Sequence, residues 1–175
     1  MAKQKSDVRD QEMPVDKETG RITYEEVVEV SGRTQGQLYS TAREWYVNRF
    51  NSAEAVLQME DKESGKLLGK AFSYIYDNKI GKWKLRYAIK VYLKDGRYKV
   101  VITDLSYEAT PPQDVSNPIE VSVGPYLSEN LYKKNGKPRP EMVDLKLDTI
   151  AKIESLMADL KATMLKSKES AEDEW

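Results

Sequence analysis

The chain has 175 residues, of which 39% are hydrophobic and 33% charged, and its 28 basic residues nearly balance 29 acidic ones. This length fits one domain with tails, and a net charge of −1 gives no overall attraction to nucleic acid or acidic membranes. The chain contains no cysteine and no histidine. Their absence excludes thiol nucleophiles, thiolate or histidine metal sites and Ser-His-Asp triads, so catalysis here would need carboxylates, Lys, Tyr or Ser.

Residues 1–13 are polar and predict a disordered tail without the apolar core of a leader peptide. No apolar run in the chain approaches the ~18 residues of a membrane span. After a turn over 14–20, the β-branched segment 22–30 predicts a strand. Thr34 and Gln37 have the spacing of a capping box. The helix that follows carries apolar residues on one face, at a period of about 3.6: Leu38, Ala42, Trp45, Tyr46 and Phe50.

Four strands in hairpin order are predicted next, over 55–60, 66–76, 82–94 and 97–108, separated by turns at 61–65, 77–81 and Asp95-Gly96. Asp-Gly between two alternating segments is a strong hairpin signal because both turn residues adopt a positive φ. The 82–94 segment alternates between apolar and mostly cationic residues. This pattern predicts one buried and one exposed face.

Residues 109–140 form a proline-rich connection, predicted as a long loop or strap, in which 119–123 could add an edge strand. A helix is predicted over 141–166, followed by an acidic tail over 168–175. Its apolar stripe indicates packing on the sheet: Val143, Ile150, Ile153, Met157, Leu160 and Met164. We therefore predict a single α+β domain over 14–167, in the order β-α-β4-α. Two helices cover one face of a curved antiparallel sheet and leave the other open.

Several segments resemble a known bacterial family. They are PVDKETGRI at 14–22, VVEV at 27–30, the segment 61–69 around the first hairpin, and the helix residues Leu38, Tyr39, Ala42 and Trp45. Together they are similar to a bacterial domain of unknown function with a TATA-binding-protein-like (TBP-like) fold. The resemblance implies the β-α-β4-α layout. It also implies an exported or envelope-associated protein whose leader is absent from this chain, although a cytoplasmic location stays open. It implies no catalytic residue, and the fold label is not evidence for DNA binding.

Cations are concentrated in the segment 82–99, which contains seven of them and one anion, Asp95. With Asp95-Gly96 as a two-residue turn, Tyr92 lies opposite Lys99. The same register places Lys90 opposite Val101, Ala88 opposite Thr103 and Arg86 opposite Leu105. Tyr92, Val101, Leu105 and Tyr107 then lie among the cations on the open face. Asp104 falls on the buried face unless a bulge shifts the strand. The candidate ligand-binding residues are Arg86, Lys90, Tyr92, Lys99 and Tyr107.

Each of these features has two interpretations. A cationic, aromatic sheet face can hold phosphates and stack bases, and it is also the ordinary composition of a solvated face whose lysines discourage aggregation. The connection 109–140 is either a binding arm or a strap across the sheet edge, with candidate contacts at Tyr126, Tyr132, Lys133, Lys134 and Arg139. The 11 tyrosines, against 2 phenylalanines, suit a recognition surface or ordinary packing.

A carboxylate pair for glycoside or metal chemistry could come from Glu25, Glu26, Glu29, Asp104 and Glu108, but their spacing does not mark a pair. We therefore predict a non-catalytic binding or interaction module of the bacterial envelope that uses the open face and the 109–140 loop. We expect no catalytic residue, metal or cofactor. The expected partner is an anionic or polymeric ligand or a protein. The alternatives are a nucleic-acid-binding protein that uses 82–99 and a carboxylate-dependent enzyme.

Overall fold

The computed structural model describes residues 11–50, 55–77, 81–109 and 116–166. The acidic tail predicted over 168–175, most of the tail predicted over 1–13 and the centre of the 77–81 turn lie outside these residues. Met13 lies inside them and packs, half-buried, against the hydrophobic core. The predicted tail therefore extends too far toward the first strand.

The described residues form six strands in one antiparallel sheet. The strands are β1 (Tyr24–Glu29), β2 (Ala55–Asp61), β3 (Lys66–Asp77), β4 (Gly81–Lys94), β5 (Arg97–Ala109) and β6 (Ile119–Ser122). Their order across the sheet is β1-β5-β4-β3-β2. Strands β1 and β6 share one side of β5, because β1 pairs with 97–102 and β6 with 106–109. The predicted optional edge strand at 119–123 is therefore confirmed.

Three helices accompany the sheet in the described part of the chain: α1 (Gln35–Arg49), α2 (Val123–Asn130) and α3 (Pro140–Lys166). The capping box of α1 is formed, since Gln37 N–H donates to Thr34 Oγ1 at 3.3 Å and Thr34 N–H donates to Gln37 Oε1 at 3.0 Å. The apolar side chains predicted for the buried face of α1 are all buried. Helices α1 and α3 pack against each other and against the sheet, which confirms the predicted helical layer on one face.

Helix α2 was not predicted, and it corrects the interpretation of 109–140 as a single loop or strap. Val123 and Leu127 are four residues apart and both buried, which places them on the same face of a helix. Pro125 lies in the first turn, where a helix tolerates proline. The described part of this connection is therefore strand, helix and a turn over 131–139.

Most of the tyrosines whose burial is described are packing residues. Tyr24, Tyr39, Tyr46, Tyr87, Tyr98 and Tyr107 are all buried. The Tyr107 hydroxyl lies 2.6 Å from Thr149 Oγ1 of α3, and the Tyr87 hydroxyl lies 2.7 Å from Ser73 Oγ of β3. These two hydroxyls therefore find partners inside the core, and the bond of Tyr107 joins the sheet to α3.

A bulge in β5 decides which residues face each side of the sheet. Ala88 pairs with Thr103, whereas Arg86 pairs with Ser106, so two residues of β5, Asp104 and Leu105, lie opposite Tyr87 alone. Asp104 adopts a φ of 55°, in the left-handed region that such bulges use. The predicted partners of Tyr92, Lys90 and Ala88 are confirmed, but the pairing of Arg86 with Leu105 is wrong. Beyond the bulge, each side chain of β5 therefore lies on the face opposite to the one that the predicted register gave it.

Candidate functional site

The candidate site is the open face, defined as the side of the sheet turned away from α1 and α3. Strand alternation assigns its residues. They are Lys66, Leu68, Lys70, Phe72 and Tyr74 of β3; Lys82, Lys84, Arg86, Ala88, Lys90, Tyr92 and Lys94 of β4; Arg97, Lys99, Val101, Thr103, Ser106 and Glu108 of β5; and Glu25, Val27 and Glu29 of β1. The opposite side carries the apolar residues that the helices bury.

Some cations of this face are held by carboxylates at its margin. Glu108 accepts from Lys84 Nζ at 2.9 Å and from Arg86 Nε at 2.6 Å. Burial alone would raise the pKa of Glu108, but the hydrogen bonds and charges of Lys84 and Arg86 outweigh it, so the pKa lies below its usual value. Lys99 Nζ lies 2.7 Å from Glu25 Oε1 of β1. Two carboxylates therefore offset two of these three positive charges.

Five further cations of the open face are not held in this way. No ion pair is formed with any described residue by Lys66, Lys70, Lys90, Lys94 or Arg97. They lie on β3, β4 and the start of β5. Carboxylates on this side of the sheet lie on the outer strands or at the end of β5. The centre of the open face is therefore positive.

Aromatic rings also lie on the open face, but two of them are partly covered. Phe72 and Tyr74 pack edge to face, with ring centroids 5.4 Å apart. Lys84 Nζ lies 4.9 Å from the centroid of Phe72, and Lys82 Nζ lies 3.5 Å from that of Tyr74, as in cation–π contacts. Tyr92 is half-buried at the other end of β4, between Lys66 and Lys99.

The structure brings four of the five predicted ligand-binding residues onto one face: Arg86, Lys90, Tyr92 and Lys99. Tyr107 was placed there wrongly, and so was Leu105. Tyr107 is 0% exposed and its hydroxyl bonds Thr149 of α3, because the Asp104 bulge moves it to the helix side. Asp104 itself is exposed and its Oδ1 lies 2.8 Å from Arg21 Nη1.

The cations of β3, Lys66 and Lys70, were missed by the sequence interpretation. The signal was present as the alternation of Lys66, Leu68, Lys70 and Phe72 with Leu67, Gly69 and Ala71. It was masked because Leu67-Leu68 interrupts the polar face and Gly69 interrupts the apolar one. Gly69 is required there, since a Cβ atom would lie 2.0 Å from the Tyr46 hydroxyl oxygen.

The connection over 109–140 contributes no described side chain to the open face near β3 and β4. Tyr126 of α2 packs with ring centroids 5.5 Å from Trp83 and 5.9 Å from Tyr107, so it belongs to the helix side. Tyr132, Lys133, Lys134 and Arg139 lie in the exposed turn over 131–139. Backbone bonds close this turn, including Lys133 N–H to Lys137 O at 2.8 Å.

The candidate carboxylates do not form a catalytic pair. Glu25 forms an ion pair with Lys99, Glu26 with Lys161 of α3, Asp104 with Arg21, and Glu108 with Lys84 and Arg86. Glu29 lies at the end of β1, opposite Arg97 of β5. Within the described ranges there is no group of three or more acidic side chains that could hold a metal ion. No helix in these ranges is long and apolar enough to cross a membrane.

One antiparallel open sheet with helices on one side defines an α+β protein of the TBP-like class, and two solved structures share it. A TBP-like protein from Parabacteroides distasonis matches with a TM-score of 0.69 and 16% identity, over 87% of this chain and 96% of that chain. A DUF4468 family protein from Bacteroides ovatus matches with a TM-score of 0.67 and 14% identity, over 87% and 90%. At these identities the similarity shows the fold alone.

The sequence of the central segment is similar to a known family. Residues 24–108, from β1 to near the end of β5, match the family described as a domain of unknown function (DUF4468) with TBP-like fold. The match covers 85 of the 175 residues, and it confirms the resemblance drawn from the sequence. No curated protein matches the chain.

Proposed function

We propose that this chain is a non-catalytic binding module of the bacterial cell envelope that holds a linear polyanion along its open face. The observation that carries the proposal is the row of cations on β3 and β4 without carboxylate partners among the described residues, above all Lys70 and Lys90. From Lys82 to Lys94, β4 runs for ~40 Å at about 3.4 Å per residue. A ligand with repeated anionic groups could therefore follow the strand and meet several cations in turn.

The aromatic rings favour a polyanion that binds through its charges over single-stranded nucleic acid. Proteins that bind single strands stack successive bases on exposed ring faces, each stack worth about 1–3 kcal/mol. Here lysine ammonium groups lie over Phe72 and Tyr74, so base stacking would first have to displace them. Nucleic acid remains the alternative ligand, and it would bind mainly through its phosphates.

The second alternative, a carboxylate-dependent enzyme, finds less support. A cavity of about 380 Å³ lies between the segment 20–22 and strands β5 and β6, and its lining includes two carboxylates, Asp104 and Glu120. Asp104 bonds Arg21 at 2.8 Å, and Glu120 accepts from Ser106 Oγ at 2.6 Å. Both acids are thus engaged with neighbours, whereas a general acid or base needs a proton that it can exchange with substrate.

The envelope location rests on the family resemblance alone. Its test is fractionation of the native bacterium, with the protein followed by antibody. Recovery in the periplasmic or membrane fraction supports the location. Recovery in the cytosol alone contradicts it without affecting the proposal for the open face.

The ligand proposal is tested by charge reversal. Dextran sulfate, polygalacturonate and poly-dT serve as probes, and affinity is measured by fluorescence anisotropy at low salt. Lys70→Glu with Lys90→Glu should weaken polyanion binding by about tenfold or more, since each lost charge contact is worth roughly 1 kcal/mol. Lys84 is not a suitable target because its reversal would also repel Glu108.

The matched control is Lys133→Glu with Lys134→Glu, which changes the net charge equally in the exposed turn over 131–139. We expect this control to bind within about twofold of the parent chain. If the control loses binding and the open-face variant keeps it, the ligand lies on the 131–139 turn instead. Failure of the parent chain to bind any probe would refute the polyanion proposal.

A further inference from the structure

Ala88 occupies the centre of the open face and is surrounded by polar side chains. Lys70 lies directly opposite on β3, Thr103 lies opposite on β5, and Arg86 and Lys90 are two residues away on β4. These neighbours are about 4.5–7 Å from Ala88 at the level of the Cβ atoms. Every other open-face position of β4 carries a long side chain, so the methyl group of Ala88 leaves a depression in the row.

The floor of this depression is shielded from bulk water. Ala88 and Thr103 are each 7% exposed, although Ala88 is not part of the hydrophobic core cluster beneath the helices. The long side chains around them therefore provide the shielding. An anion seated between these side chains would lose part of its hydration shell. Its attraction to the surrounding cations would be correspondingly stronger than at an open surface.

The donors around the depression converge from several directions. Lys70 and Lys90 form no ion pair with a described residue, and each ammonium group has three donors. Arg86 gives Nε and Nη2 to Glu108 and retains further N–H donors. The hydroxyl oxygens of Thr103 and Thr23 are 3.2 Å apart. The Thr23 hydroxyl donates to Arg21 O at 3.3 Å, so Thr103 donates to Thr23 and the donors of the depression are those of Lys70, Arg86 and Lys90.

This donor set fits a tetrahedral oxoanion better than a carboxylate. A planar carboxylate is best matched by the two-pronged fork of an arginine, and the Nε–Nη2 side of Arg86 is occupied by Glu108. Separate point donors on three sides of a small depression suit a group with oxygens in several directions. We infer that Lys70, Arg86 and Lys90, arranged around Ala88, form a subsite for one phosphate or sulfate group. The inference deepens the proposed function and rests on it for the source of that group.

The subsite is tested by filling the depression without changing charge. Inorganic phosphate and sulfate are titrated into the ¹⁵N-labelled chain at constant ionic strength, with acetate as the carboxylate comparison. We expect saturable shifts of the Ala88 and Thr103 amide signals with phosphate and sulfate, and weaker shifts with acetate. Ala88→Leu should reduce this affinity about tenfold or more. Ala88→Ser, which preserves the volume, should retain it.

The outcomes separate this inference from the general proposal. Equal phosphate affinity in Ala88→Leu and Ala88→Ser, or linear shifts spread over all surface lysines, would overturn the subsite. Dextran sulfate would still bind by charge in that case. Saturable phosphate binding without any polyanion binding would support the subsite with free phosphate or sulfate as its ligand, and would refute the proposed function. Displacement of dextran sulfate by phosphate would identify the polymer as the source. Circular dichroism of each variant establishes that it is folded.

Discussion

Gly69 of β3 lies directly beneath the ring of Tyr46 of α1. A Cβ atom at this position would be 2.0 Å from the Tyr46 hydroxyl oxygen and 2.5 Å from Cζ, and Tyr46 is 4% exposed. Because a packed ring cannot move without shifting α1, we expect Gly69→Ala to lower the free energy of unfolding by about 1–3 kcal/mol. Urea denaturation measures the change.

Gly36→Ala is the control for this substitution. A Cβ atom at Gly36 would meet no atom within 4 Å, and the position lies in the first turn of α1. Alanine favours the helix there, so the free energy of unfolding should stay equal or rise by up to ~1 kcal/mol. Equal stability of the two variants would show that α1 does not pack on β3 as described.

Two buried tyrosines of β5 differ in their hydrogen bonding. Tyr107 bonds Thr149, whereas the Tyr98 hydroxyl has no hydrogen-bond partner in the described part of the chain. Tyr107→Phe should lower the free energy of unfolding by ~1 kcal/mol, because it removes a buried hydrogen bond. Tyr98→Phe should leave it equal or raise it by ~1 kcal/mol, because it removes a buried hydroxyl without a partner. The two variants are compared side by side by thermal and urea denaturation. A reversed order of their free energies of unfolding would contradict the hydrogen bonding assigned to Tyr98 and Tyr107.

At the scale of the element, the bulge of β5 depends on a left-handed backbone at Asp104. Asn tolerates this conformation, whereas a β-branched residue does not. We expect Asp104→Val to be about 1–2 kcal/mol less stable in urea than Asp104→Asn. Both variants lose the exposed ion pair with Arg21 equally, so that loss cancels in the comparison. Equal stability would mean that β5 runs without the bulge.

The elements that the sequence predicted are those with a local signal. The Thr34–Gln37 box and the Asp95-Gly96 turn act over a few residues, and both are formed. Only Gly96 adopts the positive φ that was expected of both turn residues. The bulge at Asp104 has a different origin. It buries Leu105 and lets Tyr107 pack against Tyr126 of α2 and bond Thr149 of α3, which are distant in sequence. Four predicted site residues precede the bulge in the sequence and were placed on the correct face: Arg86, Lys90, Tyr92 and Lys99. Tyr107 came after it and was not.

At the scale of the whole molecule, the buried tyrosines predict a loss of stability at high pH. Burial raises the pKa of Tyr24 to about 12 and raises the pKa values of Tyr98 and Tyr107 as well. The unfolded chain releases these protons near pH ~10, while the folded chain retains them. The contribution of the buried tyrosines to the free energy of unfolding is therefore fully present below about pH 10. It is lost as the pH rises toward their folded-state pKa values.

This pH dependence is checked by urea denaturation across the alkaline range. The free energy of unfolding should be insensitive to tyrosine ionisation below about pH 9 and should decline above about pH 10. Tyr98→Phe should decline less steeply than the parent chain, because one titrating group has been removed. A decline of the same slope in both would show that Tyr98 is ionised equally in the folded and unfolded states.

The central claim is that the open face binds a polyanion through the cations of β3 and β4, and the salt dependence of dextran sulfate binding tests it most directly. The logarithm of the binding constant should fall linearly with the logarithm of the NaCl concentration, since counterions are released on binding. Lys70→Gln with Lys90→Gln should reduce this slope by about two, one for each lost contact, while Lys133→Gln with Lys134→Gln should leave it unchanged. An unchanged slope in the open-face variant would contradict the claim.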